Sequence, residues 1–317
     1  MSNKKSSESL STQLKSFVAP FRVDGSGEFH LKSHKTNEKG GLDKAKAEEI
    51  LEANRKRLSD FQEKLYAQDR WSLLLIFQGM DAAGKDSAIK SVFDGVNPQG
   101  CEVHAFKQPS TLELDHDFMW RSAIALPQRG RIGIFNRSYY EECLVVRVHP
   151  EILAREKIPP KLVTKDIWRE RFEDISAFER YLARNGTIIL KFFLNVSKEE
   201  QRERFLARLD EPSKNWKFSM ADIAERALWG KYQAAYQEVI RHTSGTMAPW
   251  HVVPADHKWF ARVVIGSTIV AALDNLDLQF PKVDKASLQE FKLVRTALLE
   301  EGKGGGTKAV LGKATKK

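Results

Sequence analysis

The chain has 317 residues, 42% of them hydrophobic and 29% charged, enough to bury one large α/β domain. Its net charge of +9 sits mostly at the ends: residues 1–40 carry +3 and residues 302–317 carry +5, which leaves +1 for the body. Basic tails are more often solvated than specific, so nucleic acid and membrane are excluded as expected partners, and no apolar run reaches the eighteen or so residues of a spanning helix.

In chain order, residues 1–41 read as a polar tail with one docked segment, Ser16–Val23. Its lysines precede no apolar stretch, so it is not expected to be a secretory signal. The kinase-like body is expected over 42–280. Ala45, Ile50, Leu51, Leu58, Phe61 and Leu65 recur at helical spacing and predict a helix from Leu42 to Gln68. Trp71–Gln78 is an apolar run too short for a helix and bounded by glycine, which predicts a buried parallel strand. Further strands are expected at Cys101–Lys107, Arg131–Phe135, Thr187–Leu194 and Trp250–Pro254. Helices are expected at Gly84–Phe93, Asp115–Leu126, Tyr139–Val148, Leu162–Arg184, from Ser197, over Asp222–His242 and at Lys258–Leu276. Strand–helix alternation predicts a three-layer α/β fold, a parallel sheet covered by helices on both faces. Residues 281–317 are expected to form a C-terminal helix followed by a basic, low-complexity, disordered tail. Cys101 and Cys143 stand far apart with no metal or redox spacing, and a reducing cytoplasm is the expected compartment.

Gly79-Met80-Asp81-Ala82-Ala83-Gly84-Lys85 matches G-x-x-x-x-G-K between a predicted strand and a predicted helix. Small residues at Ala82, Ala83 and Gly84 let the backbone curl so that N–H groups face phosphate oxygens. The helix N-terminus adds partial positive charge and Lys85 a full one. Position 86 is Asp where the usual loop has Ser or Thr, with Ser87 one place late. Asp81 inside the loop makes sense as a Mg²⁺ ligand or as a group orienting the attacking phosphate. Asp86 has two open readings, metal contact or a first-turn acid on the helix dipole.

The strand ending at Phe135 is followed by Asn136, where a phosphate-loop enzyme usually carries an acid. The amide can hydrogen-bond a metal-bound water but cannot neutralise the metal. Arg137 stands at a strand's carboxyl end, well placed for an anion. Glu142 reads as a first-turn helix acid, whereas Glu141 stays a site candidate. Arg204 and Arg208 are four apart on one helix, within a segment (198–220) placed like the lid of a nucleotide kinase; the rival reading is an exposed, salt-bridged face. Lys107, Arg121 and Arg147 are further cationic candidates. Trp216, Trp229 and Tyr232 are candidates for base stacking, with core packing as the commoner fate.

The motifs GMDAAGKDSAIK, GVNPQGCEVHAFKQPS, LPQRGRIGIFNRSYYEECLVVRVHP and APWHVVPADHKWFAR together resemble the polyphosphate kinase 2 family, from about Leu42 to about Leu276. The resemblance implies a cytoplasmic enzyme with a P-loop kinase fold and a helical lid. It also implies dependence on Mg²⁺, with Mn²⁺ as the substitute, and transfer of a terminal phosphoryl group from inorganic polyphosphate to a nucleotide. It places Asp81 and Lys85 at the transferring phosphates, Arg137 and Arg147 on anions, and Arg204 and Arg208 over the polyphosphate. The Asn136-Arg-Ser-Tyr-Tyr-Glu141 pattern looks like the third class, which accepts nucleoside mono- and diphosphates. A homo-oligomer is expected.

Polyphosphate-dependent phosphorylation of AMP and ADP is therefore the leading expectation, needing cationic cover and no side-chain nucleophile. An ATP-dependent nucleoside monophosphate kinase is the alternative. A regulatory or nucleic-acid module relying on the basic tails is a third reading.

Overall fold

The computed structural model describes residues 12–301. The basic segment expected over 302–317 lies outside the described residues, as do the first eleven. Among the described residues, 12–279 form one compact unit and 280–301 belong to a second.

A six-stranded sheet runs in the order β1 (Arg22–Val23), β6 (Trp250–Pro254), β5 (Thr187–Asn195), β2 (Ser72–Gln78), β4 (Ile132–Asn136), β3 (Cys101–Ala105). Five strands are parallel, as the α/β alternation requires; β1 is antiparallel to β6 and closes one edge. Every residue of β2 is buried, and each of its large apolar side chains contributes about 1.5–3 kcal/mol by leaving water. Central β2 lies between β4 and β5; the chain leaves it for edge strand β3, returns to β4, and then crosses past β2 to β5, so a crevice opens at the strand carboxyl ends.

The helices are α1 (12–18), α2 (Lys44–Gln68), α3 (Lys85–Val92), α4 (Thr111–Leu114), α5 (Trp120–Ala123), α6 (Glu141–Val148), α7 (Pro150–Leu153), α8 (Ile167–Arg184), α9 (Lys198–Asp210), α10 (Met220–Ala227), α11 (Trp229–Thr243), α12 (Lys258–Asp274) and α13 (Lys285–Glu301). Asp43 caps α2 by accepting from the Lys46 amide, and Ala47, Leu51, Asn54, Leu58, Gln62 and Leu65 form its buried stripe. That stripe packs on α12, where the Asn54 amide donates to Ser267 Oγ at 2.9 Å. In the second unit, α13 carries exposed Leu288, Phe291, Val294 and Leu298.

Three expectations need correction. The N-terminal segment is a docked part of the body for most of its described length: Leu14, Val18, Phe21, Phe29 and Leu31 are buried. Aromatic burial explains it, since Phe17 and Phe21 meet Phe260 edge to face. The helix expected over Asp115–Leu126 is reduced to the single turn α5, with another single turn, α4, just ahead of that span. Ser110 and Glu113 close a capping box around α4, Asp117 accepts from the Met119 amide, and Pro127 stops the second turn. The helix expected over Asp222–His242 is broken at Leu228 into α10 and α11.

Candidate active site

The loop from Gly79 to Gly84 joins β2 to α3 at the crevice. Gly84 has φ +104°, a conformation open to glycine, whereas Ala82 adopts φ +59° with a side chain attached. The Ala83 amide closes a turn on the Met80 carbonyl at 3.1 Å. Lys85 begins α3 and folds back over the loop, its Nζ donating to the Gly79 carbonyl at 2.7 Å. Burial pushes this ammonium down to about 8, with the neighbouring Arg137 charge adding to the effect.

β4 delivers the next group. Asn136 Nδ2 donates to Asp86 Oδ1 at 2.6 Å, tying the strand end to the first turn of α3. Arg137 follows with φ +65°, and its guanidinium bridges Asp81 Oδ1 (2.9 Å) and Glu141 Oε2 (2.8 Å). Glu141 and Asp81 hold Arg137 well above the usual guanidinium range, so it stays charged. Partly buried Asp222 of α10 lies near Asp81, and desolvation with that neighbour raises its carboxyl.

Two hollows meet at this point. One, of ≈ 500 Å³, runs over the loop and is lined by Lys85, Asp86, Ser87, Lys107, Asn136, Arg137, Arg204, Arg208, Lys214 and Lys258. The other, of ≈ 620 Å³, is lined by Phe106, Phe118, His116, Arg121, Glu141, Glu142, Val145, Arg155 and their neighbours. Phe106, Lys107 and Arg137 line both. The first is a cationic groove suited to a chain of phosphates, and the second an apolar pocket with charged walls suited to a nucleotide. Arg121 in its wall donates to Glu142 at 3.0 Å and to the Lys107 carbonyl at 2.7 Å. Burial, with Glu156 nearby, pushes the Glu142 carboxyl up to about 7.

The crevice thus gathers Asp81, Lys85, Asp86, Ser87, Lys107, Asn136, Arg137, Glu141 and Arg208. Arg208 also pairs with Asp222 at 3.2 Å, linking α9 to α10. Arg204 reaches the groove wall as well, with its guanidinium engaged by the loop. It is largely buried against the loop, where the Ala82, Ala83, Ala255 and Asp256 carbonyls and Glu200 occupy its donors. Arg147 lines neither hollow, and its Nη1 is buried without a hydrogen-bond partner. The three aromatic candidates also line neither: Trp216 is 78% exposed, Trp229 packs against the core, and Tyr232 donates to Glu225 at 2.5 Å. Sequence reading missed Phe106 and Phe118 as pocket walls, and Lys214 and Lys258 as groove cations. The signal for Lys258 was its place just beyond the end of β6, a strand that enters the crevice.

The donor set near the loop is made of hard oxygens: Asp86, whose carboxylate is exposed, Asp81, and phosphates when bound. Among the described residues no cluster of three acidic, His or Cys side chains forms a closed metal cage. Hard carboxylate oxygens beside substrate phosphates are the donor set that Mg²⁺ takes.

Residues 41–281 match the family profile described as Polyphosphate kinase 2 (PPK2). An ADP-polyphosphate phosphotransferase from Rhodopseudomonas palustris is 51% identical over 253 residues, covering 80% of this chain and 88% of that one. An AMP/ADP-polyphosphate phosphotransferase from Meiothermus ruber is 43% identical, covering 84% of this chain and 97% of that one. The crystal structure of polyphosphate kinase 2 from Arthrobacter aurescens TC1 superposes with a TM-score of 0.78 at 40% identity, over 86% of this chain and 95% of that one. The β2–loop–α3 unit, the crevice at the strand ends and these similarities over most of the chain lead to one assignment: the chain belongs to the polyphosphate kinase 2 family.

Proposed function

We propose that this enzyme transfers the terminal phosphoryl group of inorganic polyphosphate to ADP and AMP. The carrying observation is the junction of the two hollows at Lys107 and Arg137. A polyphosphate end in the groove over the loop and a nucleotide phosphate from the apolar pocket meet there, flanked by fixed positive charge. Two polyanions repel, and Lys85, Lys107, Arg137 and Arg208 offset that repulsion and stabilise charge spread over the transferring phosphoryl. In-line geometry is then a matter of positioning, and no covalent enzyme intermediate is required.

Arg137 is held from both sides by Asp81 and Glu141, so its guanidinium is oriented before substrates arrive. Asp81 and Asp86 would hold Mg²⁺, or Mn²⁺ in its place, and Asn136 would orient a water of its shell. When bound, the ion neutralises phosphate charge and draws the reacting oxygens together. The names of the relatives support both acceptors, one specifying ADP and the other AMP and ADP. Acceptance of AMP is favoured by Glu141, which lines the acceptor pocket while gripping Arg137.

Work in the cytoplasm as a homo-oligomer is part of the same proposal. Two free cysteines and the apolar stripe on α13 support it; no helix among the described residues is long and apolar enough to cross a membrane. Incubation with Mg²⁺, long-chain polyphosphate and AMP, followed by chromatography, tests the acceptor range. ADP followed by ATP is expected; ADP-only turnover, with AMP inert, would confine the enzyme to diphosphates.

A further inference from the structure

Three consecutive carbonyls of the phosphate loop are held from behind by one helix. Gln201 Nε2 of α9 donates to the Asp81 carbonyl at 2.9 Å, and Arg204 Nη1 donates to the Ala82 and Ala83 carbonyls, both at 2.8 Å. Arg204 also reaches the Ala255 (2.5 Å) and Asp256 (3.2 Å) carbonyls beyond β6, and its Nε is paired with Glu200. In a trans peptide the N–H points opposite to the C=O. Fixing these carbonyls toward α9 turns the Ala82 and Gly84 amides the other way, while the Ala83 amide closes the turn on Met80. The arrangement also accounts for Ala82 at φ +59°: an unfavourable backbone persists only where its surroundings over-determine it.

A second link runs from α10. Arg226 Nη1 donates to Gln201 Oε1 at 2.8 Å and to the Lys198 carbonyl at 2.7 Å. The buried Gln201 amide thus stands between a guanidinium on α10 and a carbonyl of the loop. We propose that Arg204 and Gln201 are positioning residues for phosphoryl transfer, with Gln201 relaying the seating of α10, through Arg226, to the peptide after Asp81. This deepens the phosphoryl-transfer reading above and gives Arg204, a residue of the groove wall, its role through loop geometry.

The test joins a substrate-free measurement to kinetics. Amide hydrogen exchange over 79–87 is compared in wild type, Arg204→Lys, Gln201→Leu and Arg226→Met, and kcat and KM for polyphosphate are measured with short and long chains. Loss of hydrogen bonds to a charged or buried group predicts roughly tenfold faster loop exchange in Arg204→Lys and Gln201→Leu. It predicts a similar fall in kcat, equal for both chain lengths, with KM little changed. The Gln201→Leu/Arg226→Met double variant is expected to match Gln201→Leu alone, because both act through one carbonyl. Unchanged exchange with a raised KM for polyphosphate would make Arg204 a substrate contact and overturn its positioning role. Losses that multiply in the double variant would overturn the relay. Gln201→Leu removes a single neutral side chain and keeps the test decisive should Arg204→Lys fold poorly. A wild-type protein inert toward polyphosphate would refute the phosphoryl-transfer reading, while exchange would still decide the bracing.

Discussion

Asn136 Nδ2 donates to Asp86 Oδ1 at 2.6 Å, joining the carboxyl end of β4 to the first turn of α3. In the usual phosphate-loop enzyme the helix offers a hydroxyl and the strand an acid. Here the carboxylate is on the helix and the neutral partner on the strand, so the local charge is the same with its two carriers exchanged. Replacing Asp86 by Asn is expected to raise the Mg²⁺ concentration for half-maximal rate by roughly tenfold or more, since a charged hydrogen-bonded group is worth about 1.5–3 kcal/mol. Asn136→Ala should move it less, because the carboxylate remains. Rate measured against Mg²⁺ checks both; an unchanged Mg²⁺ requirement in Asp86→Asn would leave Asp86 with only its helix-dipole role.

The Lys85 ammonium sets a pH dependence. Burial lowers its pKa to about 8 from 10.5, so the substrate-free enzyme loses this charge as pH rises through about 8. Phosphate binding favours the charged form, and kcat/KM for polyphosphate is therefore expected to fall above about pH 8 while kcat falls later. Lys85→Arg, charged throughout this range, should abolish the inflection even at a reduced rate. A profile flat to pH 9.5 in the wild type would contradict the assignment.

Glu141 connects acceptor choice to Arg137. Glu141→Asn is expected to lower AMP phosphorylation by roughly tenfold more than ADP phosphorylation, the loss of a hydrogen bond to a charged group acting at the acceptor side. Parallel time courses with each acceptor measure the ratio. Equal losses would show that Glu141 merely orients Arg137.

Beneath the site lies a buried ionic network whose loss should cost stability. Glu179 accepts from Lys191 Nζ at 2.5 Å and from the Tyr139 and Tyr140 hydroxyls at 2.8 Å, all within the core. Lys191→Met strands the carboxylate and is expected to cost about 3–5 kcal/mol, lowering Tm by roughly 5–8 °C. Lys191→Met combined with Glu179→Leu should recover much of this, since a buried pair is often replaceable by apolar residues. Calorimetry of the three proteins gives the answer.

Much of the architecture was legible because apolar runs and glycine turns are local signals. Ser72–Gln78 carries its burial in its composition, and the Gly79–Lys85 spacing fixes a loop before a helix. What the sequence did not carry depends on pairing across the fold. Arg204 and Arg208 lie on one helix with equal claims to the groove; only the packing of α9 against the loop separates a buried brace from a groove cation. Asp86 and Asn136 are fifty residues apart, and nothing local shows that they meet. Arg147 sits near the end of the helix that follows Arg137 and lies off both hollows. Phe106 and Phe118 look like ordinary core aromatics until the two short turns α4 and α5 place them around a pocket.

The phosphoryl donor separates a polyphosphate kinase from an ordinary nucleotide kinase. Wild type and Lys85→Met are incubated with Mg²⁺, long-chain polyphosphate and ADP, with a parallel reaction offering ATP and AMP, and nucleotides are resolved by chromatography. The wild type is expected to form ATP from polyphosphate and ADP, and a Lys85→Met protein that melts normally to form nearly none. Absence of ATP from polyphosphate while ATP and AMP exchange readily would contradict that expectation and leave an ordinary nucleotide kinase.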